Sequence, residues 1–519
     1  LIRDLERELP DAGASLEAHA GVCIVGAGAA GIVLAVELAR LGKRVTLLEA
    51  GGAQIEEASQ EPYRSEVVGH EHRGIHTGRF RAQGGTTTMW GGQILELDPI
   101  DFDRRDWVRG SGWPIAKSEL AAGYERALEL EGVSGAIRDD ADVWRQLTLP
   151  EPRFNHLLSY LSRWCPEPNF AVLHRTALEG PGITVWLHAN AVGLEMDGET
   201  VRGVRTRTLG GREATFHAGQ VVFCLGTIES SRFFLQPRTG GLPWNASGLL
   251  GKHFQDHIDS NAAELRIVDR RKFHAMFDNV FLAGYKYHPK MKITVEAMRE
   301  HATLNAGATM YFLSDIDDQL AATKATAKKL MRGGVTQLRP AEVLQLARNL
   351  PLLLQQAWRY KLAHRAYNPE SARVMLRVHC EQEPLSASSI ALSDERDSLG
   401  LLRTRLDWRI SPTELRTILE FARLARKELA TVADLRIDDD LERGDPAYLH
   451  RCDDSNHHMG GMRMAASSTQ GVVDPNLLLF GTTNCYICSG AVFPTSGFSN
   501  PTHTVLALAV RLAEHLNRL

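Results

Sequence analysis

An α/β architecture of two interleaved parts is predicted by three observations. They are a strand–glycine turn–helix–strand unit near the start, an apolar strand near residue 220 that suits a return to it, and a later stretch of alternating strands followed by an amphipathic helix. The first unit runs from Val22 to Gly52. A β-branched run (Val22, Ile24, Val25) leads into Gly26-Ala27-Gly28-Ala29-Ala30-Gly31. An apolar helix follows to Leu41, Gly42 ends it, and a second strand runs from Val45 to Leu48 and stops at Glu49. Gly26 permits the tight turn, Gly28 lets backbone approach a pyrophosphate, and Gly31 lets the helix pack on the strand. The helix N-terminus offers free N–H groups and the positive end of a dipole to phosphates. Glu49, 18 residues beyond Gly31, stands where a carboxylate accepts hydrogen bonds from ribose hydroxyls; an Arg there would have suited a 2′-phosphate, so NADP is disfavoured. With its strand, helix, second strand and acid, this glycine run reads as a Rossmann-like dinucleotide site.

The following elements are read in chain order. Residues 80–110 hold a glycine- and threonine-dense loop, Arg81-Ala-Gln-Gly84-Gly85-Thr86-Thr87-Thr88-Met89-Trp90-Gly91-Gly92, whose backbone amides can come close to a flat or anionic ligand. Residues 183–226 alternate apolar and polar side chains and predict an antiparallel meander with turns at Asp197-Gly198 and Gly210-Gly211. Gln220-Val-Val-Phe-Cys-Leu-Gly226 reads as a buried strand reaching a glycine, and Thr227 opens a helix through Phe234. Further on, Ala372–His379 and Ser389–Leu392 read as strands and Thr413–Ala430 as an amphipathic helix, which together suggest a second, sheet-bearing domain. Residues 318–366 are helical and basic (Lys324, Lys328, Lys329, Arg332 and others), interrupted by Leu350-Pro-Leu-Leu-Leu. A solvated insertion packing on its own domain is expected there, with a contact between identical subunits or with an apolar surface as alternatives.

These signals divide the chain. The nucleotide domain is expected in three parts, 1–110, 183–264 and 451–519. A substrate or cap segment covers 111–182, and a substrate-binding domain with the helical insertion covers 265–450.

Composition excludes some function classes. Of 519 residues, 44% are hydrophobic and 24% charged, as in ordinary globular chains. The net charge of −4 gives no electrostatic reason to expect nucleic acid as a partner. Residues 1–20 are charged and lack an apolar core, so they do not read as a signal peptide. No apolar run reaches the ~18 residues of a membrane span. Seven scattered cysteines, among them Cys485-Tyr-Ile-Cys488 with no second pair and no following His, point to reduced thiols and a cytoplasmic home, with no metal site.

Taken together, the segments resemble the glucose-methanol-choline (GMC) flavoprotein oxidoreductases over nearly the whole chain, least over 265–450. The motifs are VGAGAAG…LLEAGG, the Gly84–Gly92 loop, Gly226-Thr-Ile-Glu-Ser, Gly251-Lys-His-Phe-Gln-Asp-His257, His457-His-Met-Gly-Gly-Met-Arg-Met464, Gly471-Val-Val-Asp474 and Gly490-Ala-Val-Phe-Pro-Thr-Ser-Gly-Phe-Ser-Asn500-Pro. The resemblance implies FAD, held in a Rossmann-like domain beside an α+β substrate domain built on an antiparallel sheet. In the βαβ unit it assigns cofactor contacts to Gly26, Ala27, Gly28, Ala30, Gly31, Glu49 and Ala50. In the glycine-rich loop it assigns Gly85, Thr86, Met89, Trp90, Gly91 and Gly92, and elsewhere Val192, Gly226, Gly490, Ala491 and Thr502. His457 fits the family's H-x-x-G-x-x-x-M pattern through Gly460 and Met464, and Asn500 takes the second active-site position. His458 is one residue out of register and reads as a neighbour that tunes or orients; His257 reads as structural. Some sugar-oxidising members attach the flavin through a His just before the loop Trp. Met89 stands there in this chain, so non-covalent FAD is expected.

Alcohol oxidation requires removal of a hydroxyl proton and of a hydride from the same carbon. Imidazole titrates near neutrality, so His457 can accept the proton, while an amide at Asn500 can hold the substrate oxygen. The hydride is expected to pass to flavin N5, because the cofactor carries that step. The helix starting near Pro501 can aim its N-terminal amides at the charge that develops on reduced flavin. Asn500 has a second reading: Asn before Pro is a standard helix start, Asn as N-cap and Pro at N1.

The expected activity is FAD-dependent oxidation of a CH–OH group, favouring a sugar or glycoside by analogy of the Thr-Thr-x-Trp loop. A hydrophobic or aromatic alcohol, cyanohydrin cleavage with non-redox FAD, and another two-domain flavoenzyme are the alternatives. Oxygen, a quinone or a dye would serve as electron acceptor.

Overall fold

Val22, Cys23, Ile24 and Val25 are small or β-branched and fully buried, as the central strand of a parallel sheet requires. They form the C-terminal end of strand Ser15–Val25 in the computed structural model, which describes residues 1–9, 15–314, 355, 358–366, 368, 369 and 371–519. Most of the basic insertion expected over 318–366 lies outside the described residues. From its described end, Arg359 and Arg365 reach the buried Asp278, at 3.4 and 3.0 Å.

The first sheet runs Ile2–Asp4, Ile183–Leu187, Val45–Leu48, Ser15–Val25, Glu213–Phe223, all parallel. Strand Glu213–Phe223 serves two partners on its other edge. Its first half pairs antiparallel with Thr200–Arg207, which pairs in turn with Asn190–Asp197. Its last three residues pair parallel with Cys485–Ile487, so the C-terminal block closes the sheet begun near the N-terminus. Gly198 and Gly211 hold φ of +60° and +86° at the meander's two turns, a region that costs glycine nothing.

Helix Ala29–Arg40 starts at Gly28, and the C-terminal helix Pro501–Arg518 packs along it. Both helices bury alternating faces of Leu, Val, Ile and Ala in one core. Each large aliphatic side chain there is worth roughly 1.5–3 kcal/mol against exposure.

The second sheet is antiparallel, in the order Ala433–Ile437, Ile258–Ile267, Arg373–Cys380, Ala306–Leu313, Tyr285–Ile293, Leu157–Trp164, Gln93–Ile94. Strand Ile258–Ile267 therefore belongs to this sheet. The changeover falls just after His257, not at 264 as expected, because the apolar alternation of 258–265 pairs with Arg373–Cys380. Gln93–Ile94 and Leu157–Trp164 likewise cross into it from segments placed elsewhere by sequence. One face is apolar: Val374, Leu376, Val378 and Cys380 are buried against helix Pro412–Glu428. Ser411 and Glu414 close that helix's N-terminus as a capping box. The opposite face is polar and turns toward the C-terminal loop. Gly307 lacks a side chain there because a Cβ would stand 2.5 Å from the ring of Phe498.

Among the described residues, no helix is long and apolar enough to cross a membrane.

Candidate active site

The carboxyl ends of the parallel strands open onto a crevice, the usual ligand position in such sheets. Gly26 turns there with φ +106°, and any Cβ on it would meet the Cys224 carbonyl oxygen at 2.5 Å. Gly28 forms the N-cap of the first long helix, and the glycine-rich loop comes down on it: a Cβ on Gly85 would lie 2.9 Å from the Gly28 Cα. Glu49 is buried, with its two oxygens accepting from Ala27 N–H at 3.0 Å and Gly51 N–H at 2.9 Å. Burial pushes its carboxyl up to about 7.

This crevice is an elongated cavity running from Glu49 past Gly28 and Gly85 to His458, Gly490 and Thr502. Four charged residues gather on one side. Glu229 receives Arg79 at 3.2 Å and Arg232 at 3.1 Å, with Arg81 at 4.0 Å, and Tyr63 lies flat beneath Arg79 and Arg81. Arg81 also donates to Asn190 at 2.5 Å, yet its Nε is buried without a partner at the cavity wall.

Beyond the cavity's far end lies a cluster of histidines. The loop 456–461 reaches it through residues few side chains tolerate: Asn456, Gly460 and Gly461 have φ of 58°, 76° and 94°. A Cβ on Gly460 would collide with the His253 carbonyl. That close approach lets Met459 and Gln255 exchange backbone hydrogen bonds at 2.8 and 2.9 Å, which draws residues 256–257 alongside 457–458. Asp256 fastens the junction: its Oδ1 accepts from the backbone N–H of both His257 (2.7 Å) and His457 (2.9 Å).

The hydrogen bonds assign the protons. His257 Nε2 faces the Ser496 carbonyl at 3.5 Å, which can only accept, so His257 carries its proton on Nε2 and Nδ1 is a lone pair. His257 Nδ1 lies 2.9 Å from His457 Nδ1, so the proton between them belongs to His457. His457 Nε2 is then a lone pair, and Asn500 donates to it through Nδ2 at 2.9 Å. Burial and the charge of neighbouring histidines hold His457 well below the ordinary range, so it is neutral near pH 7; burial brings His257 down to about 4. Asn500 does stand at the N-cap of Pro501–Arg518, but its side chain makes no capping bond and goes to His457 instead.

Comparison with known proteins shows similarity to flavin-dependent oxidoreductases. Residues 384–509 match the GMC oxidoreductase family model, and residues 21–240 match the FAD dependent oxidoreductase model. A 2-methyl-1,2-propanediol dehydrogenase from Mycolicibacterium austroafricanum is 22% identical over 96% of this chain and 95% of its own. A C-glycoside 3-oxidase from Microbacterium trichothecenolyticum is 28% identical over 145 residues, 28% of this chain and 27% of its own. Among solved structures, a formate oxidase superposes with TM-score 0.57 at 16% identity, covering 97% of this chain and 99% of its own. Pyridoxine 4-oxidase from Mesorbium loti gives 0.56 at 16% identity, covering 96% and 99%.

The chain carries a GMC oxidoreductase domain over residues 384–509 and an FAD dependent oxidoreductase domain over residues 21–240. It is an FAD-dependent enzyme acting on CH–OH groups. The crevice suits that cofactor on its own terms: a helix N-terminus, two glycines in close approach, a buried acid, and an orphaned guanidinium nitrogen at the wall.

In this enzyme the cavity brings together Gly26, Gly28, Ala30, Glu49, Ala50 and Gly85, with Thr86, Trp90, Gly226, Gly490 and Thr502. Ala27 and Gly31 stand behind it: Ala27 holds Glu49, and Gly31 lets the helix touch the Gly26 carbonyl. Five further expected contacts lie outside the lining. Met89 is 64% exposed at the end of the short helix Gly85–Thr88. Gly91 and Gly92 back onto Trp164 and onto Cys165 and Pro168. Val192 is displaced by a strand irregularity between Ala191 and Gly193, and Ala491 is packed into the core. His457 and Asn500 are chain neighbours of the lining residues His458 and Pro501.

Sequence reasoning missed Tyr63, Arg79 and Glu229, and the contact of His257 with His457. The available signal for His257 was its place in the Gly251–His257 motif. His458 lines the cavity, with Nε2 buried 3.7 Å from Asp256 Oδ2. With His72 these two form a group whose ligand-type atoms lie within 4.8 Å of one another. Hydrogen bonds account for His72: its Nδ1 accepts from Ile75 N–H at 3.1 Å, so its Nε2 donates to Asp256 at 3.1 Å.

Proposed function

We propose that this enzyme oxidises a carbinol of a polyhydroxylated substrate, a sugar or glycoside, to the carbonyl, with His457 Nε2 as the base and FAD held without a covalent bond. The observation that carries the reading is the run of hydrogen bonds Ser496–His257–His457–Asn500. It leaves one basic lone pair, on a neutral imidazole, aimed at an amide rather than at solvent.

His457 takes the hydroxyl proton onto Nε2 as the C–H bond breaks, a contribution of about 10²–10⁴ in rate for a well-placed base. Asn500, already directed at that nitrogen, orients the substrate oxygen. His257 returns nothing to solvent; its lone pair at Nδ1 keeps the His457 proton on the far nitrogen throughout. FAD, when bound, supplies the electron sink for the hydride leaving the carbinol carbon. Gly26, Gly28 and Gly85 provide backbone room for its pyrophosphate, Glu49 a carboxylate for its ribose, and the Pro501–Arg518 helix a positive dipole end beside Thr502. The similar proteins support a polyhydroxylated substrate, since one is named for a diol and the other for a C-glycoside. The polar face of the second sheet supports it too.

The test is anaerobic mixing of sugars and diols with His457→Ala. The variant should retain FAD yet bleach at least about 100-fold more slowly than the parent. Bleaching at the parent rate would remove His457 from the reaction.

A further inference from the structure

The polar face of the second sheet carries more positive than negative charge, and among the described residues one cation on it, Lys290, makes no ion pair, Asp259 acting on it only at longer range. Asp259 has two nearer partners: Arg377 donates to its Oδ2 through Nε at 3.0 Å and Nη2 at 2.8 Å, and His379 pairs with its Oδ1. Lys292 pairs with Asp98. Lys290, two residues along the same strand and 5% exposed, has among the described residues only the amide oxygen of Gln93 as a hydrogen-bond partner, at a long 3.4 Å. A buried ammonium with one distant neutral acceptor is costly unless a ligand completes it.

Its surroundings hold further unmet groups. Tyr160, directly across the strand pair from Lys290, has its hydroxyl buried without a partner. His288, two residues before Lys290, gives Nε2 to Thr309 at 2.6 Å and leaves Nδ1 buried and unmet. These groups look toward the reacting end of the molecule. Lys292 is the strand partner of Gly307, the residue that Phe498 covers, and the Tyr160 and Phe498 rings are 6.0 Å apart; Phe498 precedes Asn500 by two residues. The Lys290 charge is also felt at His457, whose proton affinity it lowers, and burial brings the Lys290 ammonium itself down to about 8.

We infer that the substrate carries a carboxylate, received by the Lys290 ammonium and the Tyr160 hydroxyl while its carbinol lies at His457. This deepens the proposed alcohol oxidation and rests on it: the oxidised molecule is a hydroxy acid of the sugar-acid type rather than a neutral sugar. A carboxylate gives Lys290 its missing counter-charge, and gives the Tyr160 hydroxyl an acceptor.

The experiment is equilibrium calorimetry on the oxidised holoenzyme with two matched pairs, D-glucuronate against D-glucose and 4-hydroxybutyrate against 1,4-butanediol. Anaerobic flavin bleaching with the same four compounds follows. The acid of at least one pair should bind about 10- to 100-fold more tightly than its neutral partner, as a charge-assisted contact predicts. Lys290→Met should erase that preference and leave the neutral compounds within about twofold. Tyr160→Phe, which removes one oxygen and poses no folding risk, should weaken the acids alone by about threefold or more. FAD content reports whether each variant is folded. No preference for the acid in either pair, or a preference that survives both substitutions, overturns the inference. Acid-selective binding without any bleaching would instead retain the carboxylate site and overturn the oxidation reading.

Discussion

The cofactor crevice and the polar face of the second sheet, the proposed substrate wall, are made of different material. The crevice is mostly backbone: Gly26, Gly28 and Gly85 matter for the atoms they lack, and Ala27 and Gly51 act through their N–H groups. The wall is made of side chains on a regular sheet, Arg377, His379, Lys290 and Tyr160, any of which could be exchanged without disturbing a hydrogen bond of the ladder. Geometry that depends on backbone tolerates few sequences, whereas a sheet face tolerates many. The crevice therefore defines the kind of chemistry, and the wall defines what undergoes it.

The sharpest way to break the comparison is to add one carbon to the crevice. In Gly31→Ala the new methyl runs into the Gly26 carbonyl oxygen, a backbone atom held by the turn itself. Relief requires moving the helix away from the strand, and overpacking of this kind costs about 1–3 kcal/mol. The expected product is a colourless, less stable protein. Full FAD occupancy and an unchanged melting temperature would show that the crevice has slack the packing denies.

A smaller effect is expected at the seam between the two regions, where His257, just before strand Ile258–Ile267, meets His457. Both imidazoles are held below their ordinary range by burial, so the folded protein favours their neutral forms. The sign follows: their contribution to stability is whole above about pH 6.5 and is lost as pH falls toward 4. The bleaching rate should accordingly stay flat from pH 8 down to about 6, where an ordinary imidazole base would already lose half its activity near 6.5. His257→Leu lets the His457 proton sit on either nitrogen and should slow bleaching about tenfold. His257→Gln offers a carbonyl oxygen to the same proton and should restore the rate to within about threefold. Equal loss in both variants would mean that His257 only fills space.

What could be read from the chain follows the same division. The βαβ unit, the meander turns, the helix Pro412–Glu428 and the Pro501 helix start were legible because glycine, proline and capping residues act locally. The strand Arg373–Cys380 was legible as a strand from its alternation. Which of its faces turned toward the C-terminal loop was not, because that depends on Phe498 more than 100 residues away. Asp256 and His257 sat in a recognised motif, but their contact with residue 457 is made by a loop folding back through Gly460. Tyr63 and Arg79 lay in stretches with no period or glycine signature, Glu229 lay in the Gly226-Thr-Ile-Glu-Ser motif without a local sign of its partners, and only tertiary packing collects the three.

The smallest effect is expected at Met89, a position that local resemblance placed at the cofactor and the structure places at the surface. Its side chain is 64% exposed and outside the cavity lining, while the adjoining Trp90 lines the cavity and donates its Nε1–H to the Pro168 carbonyl at 2.6 Å. The loop's contribution to binding thus passes through Gly85, Thr86 and Trp90. Met89→Ala should leave FAD content and bleaching rate within about 20% of the parent, since exposed truncations away from special features usually cost under about 0.5 kcal/mol. Acid precipitation of either protein should leave the pellet white and the supernatant yellow, because a thioether at 89 forms no bond to the ring. A yellow pellet from the parent that turns white in Met89→Ala would place residue 89 against the flavin after all, and would make the loop's side chains, not its backbone, the holder of the cofactor.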